Sequence, residues 1–486
     1  MPQGVLRTLL AVAVVSSLPA TARAAKQGGD PPSPAAGFAT APCAFHVPAG
    51  QKVRCGWLTV PENRVGPGGR TIRLHVAIYA SRSPHPAPDP IVWLVGGPGG
   101  RAHDLSSRLF HRVVAPYLAT RDFIVLDVRG TGYSQPALSC PEDRTAPGWL
   151  QACRDHLRTV ADLSCYNSAS VAADLADLRR ALRIREGNIF AESYGTRLAL
   201  STLRDCPEGV RAVVLDSVVP PEADQYADGP SKFEGALSAL FEDCARDAAC
   251  NGAFPTLRAT LLEAADALDA SPRRLSGTWH NVPLAVRFDG RQLLQAVDLT
   301  LYESDMVSSL PWAIAHAVDG SADSTWLEVI GRHEIFVSRR IVDQGAHLSY
   351  ACAEEVPFTD VARLRKEDDS RAGMRQAATG LSIVEACRAW GTRPTGRRET
   401  MAVTSRVPVL LLSGRYDPVT PPSYARQAAS HLANAQVFEF RGLGHWLTAN
   451  EVTSCPQRLV LQFLDDPRRK LDAACVADKP PAWRLR

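Results

Sequence analysis

At 486 residues the chain exceeds the commonest single-domain size, and 45% hydrophobic with 22% charged residues describes a folded protein with a sizeable core, which excludes global disorder. Its 54 basic and 51 acidic side chains leave a net charge of only +3, a field too weak to draw it to nucleic acid or an anionic membrane.

The first 24 residues carry a basic Arg7, an apolar run over 9–15 and the small-x-small ending Ala22-Arg23-Ala24, the pattern of a secretory signal cleaved after Ala24. The run is far shorter than the ~20 residues a membrane span needs. Export to the periplasm or the medium is the expectation. Twelve cysteines in an exported chain then predict disulfides, with short pairs Cys43 with Cys55, Cys244 with Cys250 and Cys455 with Cys475. Spacing leaves Cys140, Cys153, Cys165, Cys206, Cys352 and Cys387 unassigned. No CxxC pair suggests a metal site instead.

Residues 25–41, rich in Gly, Pro and Ala, read as a flexible leader. A strand is expected over 71–80, and the apolar runs 91–97 and 122–130 read as strands buried on both faces. Leu175, Leu178 and Leu182 mark one face of a helix over 168–184. A strand at "NIFA", a turn at Ser193, a helix over 196–205 and a strand over 212–218 follow. This alternation predicts a mostly parallel, doubly wound α/β sheet. It stops near Tyr226 and resumes at "VPVLLLSG" (407–414), so residues 226–402 read as a large helical insertion. The core is then expected in two parts, 42–225 and 403–486.

The run "NIFAESYGTRLAL" (188–200) sets a serine at the apex of a strand–turn–helix hairpin, with small residues, Ala191 and Gly195, two positions to either side. Such a turn holds the Ser193 hydroxyl above the carboxyl edge of a sheet, which makes it the candidate nucleophile. A serine needs a base, and the base needs an orienting acid. Asp417 follows the strand "VLLLSG", and His445 follows "AQVFEF" on a glycine-flanked loop. The order Ser, Asp, His, each after a strand, is that of the α/β-hydrolase fold, with Asp216 as reserve acid. An oxyanion requires two aimed donors. The Tyr194 N–H is one, and Gly97 of "GGPGG" the other, with Gly96 as second choice. Glu192, beside the nucleophile, reads as packed beneath the turn.

Taken together, "GGPGG", "DVRGTGYS" (127–134), "ESYGTRLAL", "GRYDPVTP" and "GLGHW" resemble the secreted tripeptidyl aminopeptidase branch of the prolyl aminopeptidase family. The resemblance extends to "CGWLTVPENR", "FEDCARDAAC" and "CAEEVPF" (352–358) and so spans nearly the whole mature chain. It implies an α/β-hydrolase core, a helical cap over a Ser-Asp-His site, and removal of single residues or short peptides from a free N-terminus. It also implies cap carboxylates that hold the substrate ammonium, for which Glu354 is the candidate with Glu355 beside it. Two departures stand out. Ala191 replaces the first elbow glycine, and Val95 stands where prolyl aminopeptidases carry histidine, which weakens the transfer of prolyl specificity. No cofactor is called for, "RHEIF" lacks the second histidine of a zinc helix, and the protein is expected to act as a monomer. The alternative substrate is a small carboxylic ester; the alternative class is a binding protein on the same fold.

Overall fold

The computed structural model describes residues 37–65, 69–142, 144, 146–280, 282–338, 341–366, 371–476 and 481–486. The expected signal sequence and most of the leader lie outside them. The runs of branched and aromatic residues form one nine-stranded sheet: β1 Gly37–Thr40, β2 Val53–Pro61, β3 Thr71–Tyr79, β4 Ile91–Leu94, β5 Phe123–Leu126, β6 Gly187–Glu192, β7 Val210–Asp216, and, after a hairpin of β8 Arg273–Trp279 with β9 Val282–Phe288, β10 Val409–Gly414 and β11 Ala435–Phe440. Its order is β1-β2-β3-β5-β4-β6-β7-β10-β11. The first three pairings are antiparallel, and every pairing from β5 to β11 is parallel.

Alternation along each strand explains the apolar runs. Ile189 and Ala191 pack into one core layer with Val213, Leu215 and Leu411, while Phe190 packs into the other with Ala212, Val214, Leu410 and Leu412. A strand buried on both faces tolerates no polar register, so a one-residue slip would still be apolar but would misplace the loops at its end. The helices Ser168–Ala181 and Tyr194–Asp205 cover the first face, and Cys455–Asp465 covers the second. Asn167, whose side chain accepts from the Ser170 N–H at 3.0 Å, caps the first of these helices.

Two expectations change. Residues 37–40, assigned to the flexible leader, pair with β2, where Thr40 lies opposite Gly56. Any Cβ at Gly56 would strike the Phe38 ring and the Ala39 carbonyl, so the glycine is what lets this edge strand dock. The segment between β7 and β10, read as helical, also holds the antiparallel β8–β9 hairpin. Its helices, with Phe233, Leu240, Leu293, Leu301 and Trp326, share a core of their own that reaches Tyr416. The Tyr416 hydroxyl donates to Asp243 at 2.6 Å and docks the helix Gly229–Arg246 onto the loop after β10.

The three short disulfides form as expected. Cys140 also joins Cys153 and Cys352 joins Cys387, while Cys165 and Cys206 remain thiols. No helix among the described residues is long and apolar enough to cross a membrane.

Candidate active site

At the end of β6 the chain turns directly into the helix Tyr194–Asp205, with Ser193 at the apex at φ 52° and ψ −130°. This conformation is one that L residues avoid. It persists because the neighbours leave no alternative. The Ser193 N–H donates to the Asp216 carbonyl at 2.9 Å, and a Cβ at Gly195 would collide with the Leu94 carbonyl. Across the turn, a Cβ at Gly96 would lie 2.6 Å from the Ser193 Cβ.

Asp417 meets His445, which lines a cavity together with the serine. Nδ1 of His445 donates to Oδ2 of Asp417 at 2.7 Å, and both residues are buried. Oδ1 accepts from the backbone N–H groups of Val419 and Thr420, each at 2.8 Å. The Thr420 hydroxyl donates to Oδ2 at 2.5 Å and lies 3.1 Å from Nδ1. Burial pushes the Asp417 pKa up, but His445 and the Thr420 donors outweigh it and hold the carboxyl below its ordinary value. An ionised carboxylate only accepts, so Nδ1 carries a hydrogen, and in the neutral imidazole the lone pair is then on Nε2. Nε2 has no hydrogen-bond partner among the described residues, and His445 and Ser193 line the same small cavity, together with Gly96, Gly97 and Tyr302. The Tyr302 ring stacks on the imidazole at 4.4 Å between centroids, and its carbonyl accepts from the His445 N–H at 2.9 Å.

Asp216, the reserve acid, is committed elsewhere. It accepts from the N–H groups of Leu447 and Thr448 at 3.0 and 2.8 Å and from the Thr448 hydroxyl at 2.7 Å. Those bonds brace the loop that carries His445. Glu192, fully buried beneath the turn, takes the Gly96 N–H; burial, then repulsion by Asp216, raises its pKa well above the ordinary value. Gly97, with φ 133°, and Tyr194, which opens a helix and so has an orphan N–H, both border the cavity beside Ser193. The glycine loop is gripped from outside: the Asp343 N–H donates to the Gly99 carbonyl at 2.9 Å, and Nδ1 of His347 donates to the Pro98 carbonyl at 3.3 Å.

The cavity over Ser193 measures about 210 Å³, with Gln225, Tyr226, Lys232, His347 and Glu355 on its wall. The structure separates the two candidate glutamates. Glu354, expected as the amine anchor, is fully buried and engaged: it accepts from the Ser168 N–H at 2.8 Å, the Ser168 hydroxyl at 2.5 Å and the Tyr194 hydroxyl, and pairs with Arg197 at 3.5 Å. It ties two core helices together and does not line the cavity. Glu355 does. Its Oε1 accepts from Gln225 Nε2 at 2.7 Å, and burial, opposed by Arg197, raises its pKa.

Residues 89–298 match a family model described as alpha/beta hydrolase fold, and residues 374–475 match one described as TAP-like protein. The chain has the α/β-hydrolase fold. This hydrolase is similar to the serine protease Hip1 of Mycobacterium tuberculosis, 24% identical over 458 residues and 84% of each chain. It is also similar to the tripeptidyl aminopeptidase of Streptomyces lividans, 30% identical over 223 residues, 40% of this chain and 41% of the other. A crystal structure of proline iminopeptidase from Mycobacterium smegmatis aligns over 85% of this hydrolase and 98% of that chain, at 15% identity and a TM-score of 0.39.

Thr420 and Lys232 are among the site residues that the sequence did not reveal, as are Tyr302, Gln225, Tyr226 and His347. Thr420 stands three positions after Asp417, the spacing at which a hydroxyl folds back onto a carboxylate in a turn, so "DPVT" held a usable signal. Lys232 had none, because one lysine early in a helix reads as solvent-facing.

Proposed function

We propose that the protein is an exported serine aminopeptidase. His445 Nε2 takes the Ser193 proton as Oγ attacks the scissile carbonyl, and Asp417 orients and balances the imidazolium. The Tyr194 and Gly97 amides hold the oxyanion. His445 then protonates the departing amine, and water, deprotonated by the same imidazole, releases the acyl group. The observation that carries this reading is the pairing of His445 with Asp417 at 2.7 Å beside Ser193 in its strained turn. Its similarity to a serine protease and a tripeptidyl aminopeptidase supports peptides as substrates. Glu355 takes over from Glu354 as the anchor for the substrate ammonium, since it alone of the two borders the cavity. Five disulfides among the described residues support an oxidising destination.

Matched aminoacyl anilides with free and acetylated N-termini test the amine requirement. The free amine is expected to be cleaved at least ~10-fold faster in kcat/KM, and Glu355→Gln to erase that preference. Equal rates on the two substrates would favour an esterase or general acyl hydrolase instead.

A further inference from the structure

Lys232 sits in the first turn of the helix Gly229–Arg246 and is only 8% exposed. Its Nζ donates to the Gln225 carbonyl at 3.0 Å and lies 5.4 Å from the centre of the Tyr424 ring. An ammonium has three donors, and no carboxylate among the described residues forms an ion pair with this one. Burial lowers its pKa, outweighing Asp228, Asp417, Glu355 and Asp298, which are close enough to act on it. Asp228 accepts from the Tyr424 hydroxyl and from Arg363, both at 2.7 Å, Asp417 holds His445, and Glu355 accepts from Gln225. Burying an ammonium with no carboxylate in direct contact costs several kcal/mol, a cost offset when an anion binds to it.

The cavity that Lys232 lines is the one above Ser193. Gln225 organises both charges on its wall, accepting from Lys232 with its backbone carbonyl and donating to Glu355 with its side-chain amide. A carboxyl and an amine fixed through one residue, each disfavoured as an ion by burial, regain their charges when a substrate of both signs binds between them. We infer that Lys232 is a specificity residue, which selects acyl groups bearing a carboxylate; in a peptide this is an Asp or Glu side chain on the released, N-terminal side of the cleaved bond. The inference rests on Ser193 as nucleophile, and within the peptidase reading it names the substrate class.

The test compares Glu with Gln at each of the three positions preceding the bond in tripeptidyl 4-nitroanilides, and monoethyl succinate with ethyl butyrate. The wild type is expected to favour the acidic member by ~10-fold or more in kcat/KM at one peptide position and in the ester pair. Lys232→Met, which keeps the apolar stem, is expected to bring both ratios to about 1, and Lys232→Arg to retain a preference. A wild type indifferent to the acid overturns the proposal whatever the variants do, as does a folded Lys232→Met enzyme with its ratio intact. Cleavage of esters but of no peptide refutes the peptidase reading, while the ester pair still decides the role of Lys232.

Discussion

Thr420 shows how much a single hydroxyl contributes to the site. It donates to Asp417 Oδ2 at 2.5 Å and lies 3.1 Å from Nδ1 of His445, so it fixes the direction from which the carboxylate meets the ring. Valine has the same shape and no donor. Thr420→Val is therefore expected to fold normally and to lose ~10-fold in kcat with little change in KM, because a bond to a charged group that orients the base is lost while the substrate cavity is untouched. An unchanged kcat would reduce Thr420 to packing. Glu354 offers the converse lesson. The sequence marks both glutamates of "CAEEVPF" alike, yet Arg197 and Tyr194, more than 150 positions away, claim one of them. Contacts of that range leave no trace in local text.

At the scale of elements, the strands that carry the catalytic loops were legible because two-sided burial writes itself as continuous apolar runs, as in "VVLD" of β7 and "VLLLSG" of β10. The hairpin was harder to see. In β8 only Leu275 is buried, so there is little apolar pattern to read, whereas β9 alternates Val282, Leu284, Val286 and Phe288 and could have been recognised by its period of two. β1 is too short for any periodicity. The Cys352–Cys387 pair, also unreadable from spacing, joins the helix Gln344–Glu354 to the helix Arg371–Trp390. The first of these carries His347 against the glycine loop and leads into Glu355. Replacing both cysteines with alanine is expected to lower unfolding stability by about 3–4 kcal/mol, the loop-entropy value for a closure of this length, and to reduce kcat/KM. Denaturant unfolding of the purified variant measures the first effect and steady-state kinetics the second.

For the molecule as a whole, acid stability is governed in part by a buried cluster distant from the triad. Nδ1 of His75 lies 2.9 Å from Nε2 of His103, the Phe45 ring stacks on His103, and the His103 N–H donates to Asp127 at 3.2 Å. Burial lowers the pKa of both histidines to about 4, the neighbouring His103 adding to the effect on His75, and burial raises Asp127 to about 7. The signs differ. Between pH 6.5 and 4 each histidine binds its proton in the unfolded chain before the native one, so stability is lost on acidification; Asp127 is protonated first in the native state, so it returns stability over nearly the same window. Two losses against one gain leave a net loss. His103→Gln leaves one of each, so the gap in stability between wild type and variant is expected to narrow by up to ~1.4 kcal/mol per pH unit as pH falls from 6.5 to 4. Unfolding curves at several pH values measure this, and a gap that stays constant would contradict the assignment.

The central claim is that the turn at Ser193 presents a nucleophile to the His445–Asp417 pair. Peptide mapping by mass spectrometry after reaction with a fluorophosphonate tests it most directly. A single adduct on Ser193 is predicted, forming at least ~100-fold more slowly in His445→Ala. An adduct on another residue, no adduct at all, or equal rates in the two proteins would contradict it.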